Sequence, residues 1–108
     1  MIGKNCSIGS NTTIGGGQRP HPDTKSLAPT IGDNVYIATG AKIFGGIKIG
    51  SYSIIGANSV ITSDVEPFSI MGGLPGKLLK IIDKSNYKKY KSFIGRNINL
   101  DDVFMHRE

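Results

Sequence analysis

The chain has 108 residues, which bounds it at one domain, and its 13 basic against 8 acidic side chains leave a net charge of +5. One cysteine, Cys6, excludes an internal disulfide and fits a reducing compartment, and no apolar run approaches the roughly 20 residues of a membrane span. No signal-peptide pattern opens the chain, so a cytoplasmic location is expected. The basic excess suits an anionic ligand such as a nucleotide or coenzyme, a nucleic acid, or simply a solvated basic surface. Glycine is abundant, 15 of 108, but it recurs periodically and so marks tight corners, not disorder.

In chain order, the first segment already repeats: Ile2, Ile8 and Ile14 open IGKNCS, IGSNTT and IGGGQR. Terminal coils of a solenoid normally carry a cap, and this one starts at full stride, so the sequence reads as N-terminally truncated or covered by association. Cys6 stands at the small position of its hexapeptide and is read as packing. From Gly15 to Thr30 the period fails, because Ile14 and Ile31 are seventeen residues apart, which is not a multiple of six. The stretch is rich in Gly, Pro and polar residues and is expected to be a loop extruded from a corner at about 15–30. It carries Arg19, His21, Asp23 and Lys25. A long loop on a rigid scaffold is more often functional than not.

Isoleucine then falls at Ile31, Ile37, Ile43, Ile49, Ile55 and Ile61, every sixth residue. Four residues after each stands a small or β-branched residue: Val35, Ala41, Ile47, Ser53, Ser59 and Val65. A helix does not repeat at six, and a flat strand repeats at two without marking every third inward position. The period therefore implies short strands wound into a parallel β-helix, one hexapeptide per face, with residues 31–66 making two coils. Gly40, Gly45, Gly50 and Gly56 fall at or near corners, where positive φ is often needed.

The pattern fades through SDVEPF, and a turn follows at Gly72-Gly73-Leu74-Pro75-Gly76. The GKLL fragment is not a phosphate loop, since Met71 and Leu78 replace the required Gly and Ser/Thr. The division implied is a hexapeptide-repeat domain over 1–82 and a helical or irregular tail over 83–108. In the tail, Asp83 or Ser85 is a candidate cap for a short helix with Tyr87, Tyr90 and Ile94 on one face, ending at Gly95. Lys88, Lys89 and Lys91 beside the aromatics allow a nucleic-acid patch, but an amphipathic helix docked on the solenoid is favoured. Residues 97–108 show no clear pattern, and His106 reads as an exposed terminal histidine.

Three stretches resemble the hexapeptide acyltransferases, and within them the serine acetyltransferases and the O-acetyltransferases of bacterial polysaccharide loci. Thr12-Thr13-Ile14-Gly15-Gly16 followed by Arg19 and His21-Pro22 is similar to the family's T-L-G-G…R-H-P segment. Pro29 to Ile37 with Gly40-Ala41-Lys42-Ile43 resembles the coil after that loop. Ile55 to Val60 through Gly72-Gly73-Leu74-Pro75-Gly76-Lys77 resembles the closing coil and its G-x-P-A-K turn. The resemblance implies an all-β, left-handed parallel β-helix, a homotrimer, and acetyl transfer from acetyl-CoA as co-substrate to a hydroxyl of serine or a sugar. By position it implies that Ala38, Thr39, Gly56 and Ala57 line the CoA groove and that Lys77 meets coenzyme phosphates, with Lys80 a further candidate.

The departures from the family pattern bear on activity. The family's catalytic histidine lies upstream of the T-L-G-G segment, where this chain has eleven residues and no histidine. His21 aligns with the loop histidine that, with Arg19, contacts the acceptor. It is therefore the one candidate acceptor contact or substitute base. Pro20 between Arg19 and His21 also departs from the pattern. The alternative is a catalytically inactive trimeric β-helix that binds CoA or serves as a scaffold. No metal is expected, since a carbonic-anhydrase-like zinc site wants three histidines and the chain has two. No nucleic acid or membrane partner is expected. No cysteine synthase complex is expected either, since the chain ends in His106-Arg107-Glu108 instead of isoleucine.

Overall fold

The computed structural model describes residues 1–95 and 98–105; His106, Arg107 and Glu108, on which the reading of the terminal histidine and of the chain end rests, lie outside the described residues. The hexapeptides become two- and three-residue strands that stack in parallel. Strands β1 (Ser7–Ile8), β4 (Tyr36–Ile37), β7 (Ile54–Ile55), β9 (Ser69–Gly72) and β10 (Lys77–Ile81) form one face. Strands β2 (Thr13–Gly15), β5 (Lys42–Phe44) and β8 (Val60–Ile61) form the second. The third is β3 (Thr30–Ile31) with β6 (Lys48–Ile49), extended by the bridges Ile2–Ile31 and Ile49–Val65.

Register follows from the isoleucines. Ile37 pairs with Ile55 and Ile43 with Ile61, each eighteen positions on, so three hexapeptides close one turn. Ile8 pairs with Ile37, twenty-nine positions on, and the difference of eleven residues is the extruded loop. Ile54 pairs with Ile70, so the last turn is two residues shorter, which matches the fading of the period there. Inside the coil Ile31, Ile37, Ile43, Ile49, Ile55 and Ile61 are buried, as are Val35, Ala41, Ile47 and Val65. Ser53 and Ser59 fill the remaining small positions. Their hydroxyls are satisfied, Ser53 Oγ donating to the Glu66 carbonyl at 3.1 Å and Ser59 Oγ accepting from the Gly73 N–H at 3.2 Å. Cys6 packs against this cluster and its thiol points at the Gly32 carbonyl, 3.1 Å away.

The corners correct one expectation. Gly40 and Gly45 have positive φ, +79° and +95°, but Gly50 and Gly56 are not among the positive-φ residues. The left-handed turn falls instead on the third residue after most inward positions: Asn5, Asn11, Asn34, Gly40, Tyr52, Asn58 and Phe68. Asparagine and glycine adopt this conformation readily; aromatic residues do so only under constraint. Tyr52 and Phe68 stack on one another with centroids 5.0 Å apart, which places that constraint under the C-terminal tail.

The tail docks on the solenoid. A 3₁₀ turn (Tyr87–Tyr90), α1 (Lys91–Ile94) and α2 (Leu100–Met105) close a second core of Phe68, Ile82, Ile94, Leu100 and Phe104. Phe104 meets Phe68 edge-on at 5.2 Å and stacks on Tyr87 at 4.4 Å, and Asn34 Nδ2 donates to the Ile94 carbonyl at 3.0 Å. Neither Asp83 nor Ser85 caps a helix. The residue before the 3₁₀ turn is Asn86, whose side chain ties back to the Asp83 N–H at 2.8 Å and the Ile81 carbonyl at 3.0 Å. Helix α2 arises where no pattern was legible, its Leu100 and Phe104 one turn apart on the buried side. No helix among the described residues is long and apolar enough to cross a membrane.

Ile43→Ala removes most of a fully buried side chain from the column and is expected to lower the unfolding free energy by about 2–5 kcal/mol. Ile2→Ala, at the half-exposed end of the column, is expected to cost less than about 1.5 kcal/mol. Chemical denaturation of the two variants checks this, and equal losses would contradict the packed column.

Candidate active site

The residues implicated from the sequence gather at two edges of the β2–β5–β8 face. At one edge, Ala38 and Thr39 follow β4, and Gly56 and Ala57 follow β7 one coil further on. Their first N–H groups are spent on the ladder, Ala38 to the Ile55 carbonyl at 2.9 Å and Gly56 to the Met71 carbonyl at 2.8 Å. Thr39 and Ala57 are the exposed members of the column. The next residue in this column is Gly72, and Lys77 at the start of β10 pairs opposite it. All five proposed coenzyme positions therefore share one corner, small residues above and a lysine at the foot. Lys42 adds a cation at the same edge, its Nζ held by the Asn11 and Gly40 carbonyls at 3.0 and 2.9 Å.

At the other edge stands the loop. It leaves after β2 and is closed at its base by the Gly17 N–H donating to the Leu27 carbonyl at 2.8 Å. Its tip is a tight turn, with His21 N–H to the Ser26 carbonyl at 3.0 Å and Lys25 N–H to the His21 carbonyl at 2.9 Å. The loop crosses directly over Gly46. A Cβ there would come within 2.5 Å of the Ser26 carbonyl oxygen and 2.6 Å of the Arg19 carbonyl oxygen, so only glycine fits. Arg19 is exposed on the way to the tip. Strand β5 and the turns at its two ends separate Thr39 from Gly45, so the two edges lie on opposite sides of that face within one chain. The structure brings Arg19 and His21 together, but not with the small-residue corner.

His21 is buried, 5% exposed, and both of its ring nitrogens are engaged. Nε2 lies 2.8 Å from Asp64 Oδ2, and Nδ1 accepts from the Asp23 N–H at 2.9 Å. Because a backbone N–H points at Nδ1, the proton of the neutral ring belongs on Nε2, where it donates to Asp64. In this arrangement neither nitrogen is open to a substrate hydroxyl.

Asp64 was not singled out by the sequence, yet it is the partner that seats the loop. Its other oxygen, Oδ1, accepts from the Lys48 N–H at 2.8 Å. The signal was in the register: Ile43 and Ile61 pair, so Gly46 and Asp64 are equivalent positions three residues later, in the corner that the loop crosses. Burial pushes the Asp64 carboxyl up, but the His21 and Lys48 N–H hydrogen bonds and the charges of the same two residues outweigh it and hold its pKa below the ordinary 3.8. Among the described residues no group of three or more His, Cys, Asp and Glu is placed to hold a metal ion.

A carboxyl lowered in the fold stabilises it at every pH above the unfolded value, and the contribution drains away as pH falls through the lower folded value. The difference in thermal midpoint between the native chain and Asp64→Ala is therefore expected to hold above pH 3.8 and to shrink below it. Thermal unfolding across that range checks this, and a difference that grows on acidification would contradict it.

The comparisons agree with this architecture. Residues 28–63 match the family described as bacterial transferase hexapeptide (six repeats). The chain is 46% identical over 83 residues to a serine acetyltransferase of Staphylococcus aureus (strain Mu50 / ATCC 700699), covering 74% of this chain and 39% of that protein. Among solved structures, a serine acetyltransferase of Neisseria gonorrhoeae is 37% identical with a TM-score of 0.69, covering 91% of this chain and 35% of that one. A hexapeptide-repeat acetyltransferase of Vibrio cholerae O1 biovar eltor, complexed with acetyl coenzyme A, is 28% identical with a TM-score of 0.65, covering 77% and 49%. The chain thus spans about two-fifths of the length of the curated relative. Repeat, register and likeness together place the chain in the hexapeptide-repeat acyltransferase superfamily, with its left-handed β-helix, close to the serine acetyltransferases.

Proposed function

We propose that the chain carries the coenzyme groove and acceptor loop of an acetyl-CoA-dependent O-acetyltransferase acting on a hydroxyl of serine or a sugar. The observation that carries this reading is the corner column of Ala38, Thr39, Gly56 and Ala57 with Lys77 at its foot. Small side chains let an extended pantetheine arm lie against the backbone, and Lys77 supplies a cation for the coenzyme phosphates. The net charge of +5 favours a polyanionic ligand in the same sense. Arg19, exposed beside the clasped His21, is the acceptor contact in this reading, with His21 ordering the loop. Because groove and loop stand at opposite edges of one face, the site is completed across an interface of a homotrimer, in the cytoplasm.

A second reading has its own support. His21 is the one histidine among the described residues, and both its nitrogens are occupied. A chain without an open base would bind CoA as an inactive trimeric scaffold.

Titration calorimetry with CoA, paired with release of free CoA from acetyl-CoA and L-serine or a sugar acceptor, separates the two. Ala57→Leu fills the exposed part of the column and is expected to weaken CoA binding at least about tenfold without changing the circular dichroism spectrum. Binding without turnover favours the scaffold. No CoA binding by the native chain removes both readings.

A further inference from the structure

We infer that Asp64 is the positioning residue of the acceptor loop, acting through His21 by holding the ring in its Nε2–H form. The inference deepens the acetyltransferase reading, since it takes the loop from 15–30 to be the acceptor loop. Beyond the backbone bonds at its base and tip, few side chains hold the loop tip. Leu27 is 50% exposed, and Arg19, Pro20, Pro22 and Asp23 are exposed, while His21 and Pro29 are its buried side chains. Pro29 is the loop's buried apolar side chain and lies at its end, so the tip itself has no apolar anchor and its order rests on its backbone turns and a polar clasp.

That clasp has a defined proton count. Asp64 offers two acceptor oxygens and both are used, Oδ1 by the Lys48 N–H at 2.8 Å and Oδ2 by His21 Nε2 at 2.8 Å. One carboxylate thus ties together the loop after the first coil, the strand of the second coil and its own corner on the third. The ring nitrogen facing the other way, Nδ1, is filled by the Asp23 N–H at 2.9 Å, with the Thr24 N–H at 3.4 Å. Moving the proton to Nδ1 would set two donors against each other and leave Nε2 facing Asp64 as a second acceptor. The ionised carboxylate thus selects the tautomer, the tautomer seats the tip, and the tip sets where Arg19 stands.

Two near-isosteric substitutions probe this from opposite sides. Asp64→Asn keeps the shape but offers one acceptor oxygen, so either Lys48 or His21 meets an amide N–H₂. His21→Gln removes the ring while its amide can still donate to Asp64 and accept from the Asp23 N–H. The native chain and the variants Asp64→Asn, His21→Gln and His21→Ala are compared by ¹⁵N spectra of the histidine ring where it remains, amide hydrogen exchange at His21 and Lys25, and titration with CoA and with acceptor. The native ring is expected to carry its proton on Nε2. Asp64→Asn and His21→Ala are expected to speed exchange at the tip and weaken acceptor binding, each at least about tenfold, the change that loss of one charge-assisted hydrogen bond produces. His21→Gln is expected to keep both within a few-fold, and CoA affinity to stay unchanged in all four. A native ring protonated on Nδ1, or tip exchange unaltered by Asp64→Asn, overturns the inference. Failure of every protein to bind CoA overturns the acetyltransferase reading instead, and the ring and exchange measurements still decide the role of Asp64.

Discussion

An isoleucine at every sixth position has one place to go, the inside of a three-sided coil, and the molecule is organised by that constraint. Ile31 to Ile61 are shielded from water almost completely, each burial contributing roughly 1.5–3 kcal/mol. A slip of one residue would turn an entire rung inside out, so the register is held tightly. Tight register has a second effect. Residues at equivalent positions stack from coil to coil, and single residues far apart in sequence become columns. The small-residue corner of Ala38, Gly56 and Gly72 is one such column; Gly46 and Asp64 hold equivalent positions at another corner. Both halves of the candidate site are consequences of the same repeat.

The columns also concentrate backbone strain. The third residue after most inward positions turns left-handed, and Asn5, Asn11, Asn34 and Asn58 meet that need at little cost. Tyr52 and Phe68 do not, and those are the positions that the tail covers. Their stack is extended by Phe104 and Tyr87, so apolar burial by the tail offsets strain at the corner below it. At the other end of the column Ile2 and Ile8 are nearly half exposed.

Much of this was legible in the residues. The period of six identified the coil, the seventeen-residue gap before Ile31 located the loop, and the spacing of Tyr87, Tyr90 and Ile94 marked the docked tail helix. Periodicity reports on local chain direction, so features that depend on stacked coils were harder to see. Gly50 and Gly56 looked like positive-φ corners because glycine suggests it, whereas the left-handed turns fall mostly on asparagine. Leu100 and Phe104 fill a core that exists only once Phe68 and Ile82 have been brought beneath them, and a six-residue helix carries too short a pattern to announce itself. Asp64 lies 43 residues from His21, and a lone aspartate where the repeat fades shows nothing until the corners are superposed.

The account's central claim is that the small-residue corner is where the coenzyme lies. Amide chemical-shift mapping of the ¹⁵N-labelled chain during titration with CoA tests it most directly. The account requires the largest shifts at Thr39, Ala57 and their corner neighbours, running down to Gly73 and Lys77, with the β3–β6 face unmoved. Shifts centred on the β3–β6 face or on the tail, or none at saturating CoA, would contradict it.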